Sequence, residues 1–100
     1  MEKLPLRLTT RLIRALRRQS FRGVPGETTL DGYTVRVQGI DIFTGSPTAG
    51  SSPRIEVWHG AFSHSAPFEV HDSRWPKSQW NMLQAALSQC LDVKPRTHES

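Results

Sequence analysis

Apolar positions change their period twice along this chain. Leu8, Leu12, Ile13 and Leu16 recur at three- and four-residue steps, the signature of one helix face. The spacing predicts a helix from about Leu6 or Thr9 to Ser20. Thr9 and Thr10 are the expected N-caps, Pro5 suits the first turn, and Gly23 with Pro25-Gly26 stops the helix. Beyond these breakers the period falls to two. Residues 28–30 and 33–38 flank Asp31-Gly32 and predict a tight hairpin with a type I′ turn. Tyr33, Val35 and Val37 share one face, and Thr34, Arg36 and Gln38 share the other. After Gly39 the parity flips to Ile40 and Ile42. A bulge at Gly39 would bring both sets to one side; a plain turn there is the alternative. Residues 45–53 are rich in Gly, Ser and Pro and predict a mobile loop. Residues 54–58 predict a strand with Ile55 and Val57 inward, His59-Gly60 a turn or bulge, and residues 68–71 a short strand with Phe68 and Val70 inward. From Pro76 the helical period returns in Trp80, Leu83, Leu87, Cys90 and Leu91.

The expected fold is therefore α+β, in the order αβββα. An N-terminal helix, a three- or four-stranded antiparallel sheet and a C-terminal helix follow one another, with both helices on one face of the sheet. At 100 residues the chain is read as one domain, 1–100, with flexible ends at 1–5 and 92–100. The apolar fraction of 36% rises to a near-normal value once the seven glycines are counted, so the chain is not read as disordered. The order of elements is similar to that of double-stranded-RNA-binding domains. That family clusters lysines at the start of its second helix, where this chain has Arg74-Trp75-Pro76-Lys77-Ser78. No family membership follows.

Charge changes the picture most at the first helix. Residues 1–22 carry seven basic residues against Glu2, a net of +6, whereas residues 23–100 are net −2. The net positive charge is thus local. Arg7, Arg11, Arg14 and Arg18 fall within roughly 60° of one another on a helix and form a ridge about 16 Å long opposite the leucines, with Arg17 flanking. Guanidinium groups fork onto phosphate or carboxylate. The ridge suits a nucleic-acid backbone or an acidic protein surface; an anionic membrane would require the leucine face to leave the core. The competing reading is a solvated helix face.

A second patch is expected on the open sheet face from Arg36, Arg54 and Trp58. Trp58 opposes Ile55 and Val57 in parity, so it points outward as a base-stacking or protein-contact residue unless a bulge near His59-Gly60 turns it inward. Trp80 belongs to the core stripe, and Trp75 packs beside the start of the second helix.

Other chemistry is weakly supported. His59, His64, His71 and Cys90 lack the paired spacings of zinc sites, so no metal or cofactor is expected. Ser63-His64-Ser65 and Asp72-Ser73 contain nucleophile-triad letters without a nucleophile elbow, and no phosphate-cradling glycine loop occurs. The chain is read as non-enzymatic. A lone cysteine and the lack of an apolar run near 18 residues suggest an intracellular, cytoplasmic protein without a transmembrane segment. An Arg-rich amphipathic start is also how a mitochondrial presequence reads.

Two functions remain as expectations. The first is contact with nucleic acid or a nucleoprotein complex through the arginine-lined helix. The second is a protein-interaction module, such as a small phage or mobile-element inhibitor or adaptor on an acidic protein surface. A homodimer through the open sheet face, with Trp58 in the interface, is compatible with both.

Overall fold

The computed structural model describes the backbone of residues 4–20 and 23–93, and the side chains of 8–20 and 23–91. Helix α1 (Leu4–Arg18) precedes strands β1 (Glu27–Leu30), β2 (Tyr33–Gln38), β3 (Arg54–His59) and β4 (Phe62–Pro67), and helix α2 (Lys77–Val93) closes the order. The strands form one antiparallel meander, β1-β2-β3-β4. The α+β fold expected from the pattern is present, with four strands.

The β1–β2 hairpin turns as its sequence predicts. Leu30 pairs with Tyr33 across Asp31 and Gly32, whose φ values of 54° and 83° are both positive, as a type I′ turn needs. The register then aligns Thr28, Val35, Val57 and His64 in one row and Val37, Ile55 and Ala66 in another. Val35, Ile55 and Val57 are fully buried beneath Leu12 and Leu16 of α1 and Leu83 and Leu87 of α2. α1 packs on β1 and on α2, and α2 packs on β3 and β4. Both helices therefore cover one sheet face. The other face carries exposed or half-buried Glu27, Thr29, Thr34, Arg36, Gln38, Arg54, Glu56, Trp58, Ser63 and Ser65.

Several boundaries differ from the sequence reading. α1 begins at Leu4, so Thr9 and Thr10 lie inside the helix rather than at its N-cap, and Thr9 is buried. The fourth strand is Phe62–Pro67, not residues 68–71. It pairs His59 with Phe62 across the Gly60-Ala61 turn. Its Ser-His-Ser centre lacks a hydrophobic alternation because β4 is an edge strand, and Pro67 is tolerated at its end. Phe68 and Val70 do face inward, but from an extended segment. Gln79 holds that segment: its Oε1 accepts the His71 N–H at 2.8 Å and its Nε2 donates to the Glu69 carbonyl at 2.7 Å.

Ile42 is the clearest correction. The bulge does not carry it inward. β2 ends at Gln38, Ile40 is buried against a bridge to Pro47, and Ile42 and Phe43 are 47% and 63% exposed. Asp41 closes a turn there, its Oδ1 accepting the N–H groups of Phe43 at 2.7 Å and Thr44 at 3.3 Å. The loop that follows is not bare coil: Thr48 N–H donates to the Gly39 carbonyl at 2.8 Å and Ser51 N–H to the Thr48 carbonyl at 3.0 Å. No helix among the described residues is long and apolar enough to cross a membrane.

The loop is fastened to the start of α2 at Gly45. Trp75, 4% exposed and at φ 56°, donates its indole N–H to the Gly45 carbonyl at 3.1 Å and meets Phe68 and Trp80 edge to face. Gly45 has φ 78°, and a Cβ there would overlap the Ser73 carbonyl oxygen and come within 2.8 Å of Trp75 Cδ1. Gly45→Ala is expected to cost roughly 2–4 kcal/mol, from the left-handed backbone and the overlap together. A urea titration checks this: the midpoint should fall with the slope unchanged.

Candidate functional site

Leu12 and Leu16 have no exposed surface, so the opposite side of α1 must face water. That side carries Arg11, Arg14, Arg17 and Arg18, all exposed. Arg7 lies within α1, one helical turn before Arg11, and its side chain is outside the described residues. Arg17 and Arg18 occupy the last turn, where the negative end of the helix dipole favours cations, and Ser20 Oγ donates to the Arg17 carbonyl at 2.7 Å.

The arginines are not equivalent. Arg11 Nη1 lies 2.8 Å from Asp31 Oδ2, with both side chains about half exposed, and so links α1 to the turn of the β1–β2 hairpin. An exposed pair of this kind contributes about 0–1 kcal/mol. Arg17 stacks over the Trp80 ring at 5.2 Å, which turns it toward α2. Arg14 and Arg18 have no hydrogen-bond or ion-pair partner among the described residues. Together with Arg11 and Leu30 they line a concavity of about 210 Å³ beside the β1 edge. Arg14 and Arg18 are available there to an anion, and Leu30 of the hairpin borders the concavity.

The second predicted patch sits elsewhere. Trp58 does point to the open sheet face, and Arg36 stacks over its ring at 5.2 Å. Arg36 is also tethered, its Nε donating to Glu27 Oε1 at 3.2 Å. Gln38 Nε2 donates to Glu56 Oε1 at 3.0 Å. The carboxylates of Glu27 and Glu56 thus offset Arg36 and Arg54 on this face. Arg54 lies at the far end of β3 from Trp58, opposite Gln38 and Pro67. The two patches occupy opposite sides of the molecule and approach each other only around β1. The sequence reading missed the role of Asp31. It was legible only as turn chemistry, because its ion pair with Arg11 depends on how α1 docks.

The remaining candidates are dispersed. His59 stacks on Tyr33 at 4.1 Å, His64 on Phe62 at 4.8 Å, and His71 Nε2 lies 2.9 Å from Glu69 Oε1. Among the described residues, no three His, Cys, Asp or Glu converge on a point that could hold a metal ion. Asp72 accepts the Arg74 backbone N–H at 2.9 Å and its guanidinium at 3.3 Å, which lowers the Asp72 carboxyl below its ordinary value. This geometry organises the turn before α2.

Compared with protein-family models, curated proteins and solved structures, the chain matches none.

Cys90 is 1% exposed beneath β3, its Sγ 3.9 Å from the Ile55 carbonyl, and burial pushes its thiol up to about 11. The thiolate is the reactive species. Native protein is therefore expected to be unreactive with dithionitrobenzoate at mildly alkaline pH, and to release a full equivalent of thiolate product once unfolded in guanidinium. Rapid reaction of the native protein would contradict the buried placement.

Proposed function

We propose that this chain is a non-enzymatic binding protein that grips the phosphate backbone of a nucleic acid with α1. The observation that carries the reading is the pair Arg14 and Arg18: exposed, without a hydrogen-bond or ion-pair partner among the described residues, and set with Arg11 around one concavity. They belong to the segment that holds all the net positive charge, on a chain whose remaining residues are slightly acidic. Phosphate is the anion such forks bind in parallel hydrogen bonds, and release of condensed counterions supplies the affinity. Contacts of this kind position a protein on nucleic acid without reading sequence.

One observation favours a second reading. Arg11 already holds a carboxylate, that of Asp31, at 2.8 Å. The same ridge would accept Asp and Glu from an acidic protein, as an inhibitor or adaptor does.

Salt separates the two. With three or four phosphates neutralised by Arg11, Arg14, Arg18 and Arg7, log affinity for duplex DNA should fall against log salt with a slope of about −2.7 to −3.6. Arg14→Glu combined with Arg18→Glu should abolish binding while leaving the thermal midpoint within a few degrees, since neither side chain is packed. A flat slope, or no complex with either DNA or RNA at low salt, removes the nucleic-acid reading. Asp31→Asn supplies an independent check. Asparagine tolerates the positive φ of 54° at this position, and losing the carboxylate releases Arg11. Affinity for nucleic acid should rise by about threefold or more, at a stability cost of about 1 kcal/mol or less.

A further inference from the structure

The arginine concavity and the open sheet face are joined by two consecutive residues. Leu30 borders the concavity, and its neighbour Thr29 begins a row across the outer face, Thr29–Thr34–Trp58–Ser63, one residue from each strand. Strands lie about 4.8 Å apart, so Trp58 is about 10 Å from the β1 edge. This row is uncharged. Thr29 and Thr34 share a hydrogen bond at 3.2 Å, and Trp58 stands half-buried among the hydroxyls. The next row along the strands, Glu27–Arg36–Glu56, sets two carboxylates against one guanidinium.

We infer that the ligand of the ridge is a single strand, its phosphates on Arg11, Arg14 and Arg18 and a base stacked on Trp58 after the strand crosses the β1 edge. The inference rests on the nucleic-acid reading of the ridge. Charge gives a duplex nothing on this path: a duplex turns its phosphates outward, and on the sheet they would meet a balanced face where Glu27 and Glu56 offset Arg36 and Arg54. A single strand separates its two chemistries. The phosphates before the crossing lie on the cationic side of β1, and beyond the edge the bases lie on a neutral aromatic and hydroxyl row. Stacking needs only a π-face, and hydroxyls serve the base edges. Arg36, fixed by Glu27, packs on the indole and holds it in place while adding a second planar surface.

The test uses the full chain with two probes at low salt: a fluorescein-labelled thymidylate dodecamer and a blunt DNA duplex of the same length. The single strand should bind about tenfold or more tighter than the duplex and quench indole fluorescence, to which buried Trp75 and Trp80 contribute without being reached. Trp58→Ala should lose about tenfold on the single strand and nothing on the duplex, whereas Trp58→Phe keeps most of the affinity. Protection of Cys90 from thiol reagent reports that each variant is folded. Equal or tighter binding of the duplex, an unquenched wild-type complex, or Trp58→Ala binding the dodecamer like wild type would each overturn the single-strand inference while leaving the ridge in place. Failure of the wild type to bind either probe would overturn both.

Discussion

Everything on this molecule's surface depends on one-sided burial. Leu12 and Leu16 of α1 and Leu83 and Leu87 of α2 meet Val35, Ile55 and Val57 with no surface left to water. Each such leucine contributes about 1.5–3 kcal/mol relative to exposure. Rotating α1 by half a turn would expose its leucines and desolvate its guanidinium groups together. The arginine stripe is therefore fixed in direction by the core beneath it, and both helices are drawn to the same sheet face. The opposite face is left uncovered by the described residues for the same reason: both of their helices follow the apolar row, which is on one side.

A second set of contacts makes the long connections part of the domain. Trp75 reaches back to Gly45, Gln79 holds the backbone at Glu69 and His71, and Trp75 meets Phe68 and Trp80 edge to face. Arg17 extends this cluster by covering Trp80. An aromatic group thus anchors the β2–β3 loop, the segment after β4 and the start of α2 to one another. Arg17 belongs to this packing more than to the anion site, although it lies in the same basic stretch as Arg14 and Arg18.

The electrostatics divide along the β1 edge. On the helix side the cations outnumber the anions, and Asp31 moderates Arg11 alone. On the sheet side Glu27 and Glu56 offset Arg36 and Arg54, leaving Trp58 as the distinctive group. A polyanion is attracted to the first side and gains no net attraction on the second. Such a division gives direction to a ligand with separable charged and neutral parts.

The sequence by itself determined what depends on local period and turn chemistry. The three- and four-residue steps among Leu8, Leu12, Ile13 and Leu16 located α1 and phased its arginines. Asp31-Gly32 set a type I′ hairpin, and the alternation of β2 and β3 set their inner faces. It misjudged β4, whose Phe62-Ser-His-Ser-Ala-Pro run lacks alternation because an edge strand needs little, and Ile42, whose apolar side chain says nothing about the Asx turn that exposes it. Tertiary structure alone decided which charges are free. Asp31 meets Arg11, Glu27 meets Arg36, and Trp80 takes Arg17, and each of these partners lies on a different element from the arginine it engages. Helix phase puts a cation on a face; only the docking of distant elements determines whether it finds a counter-charge there, and that leaves Arg14 and Arg18 open.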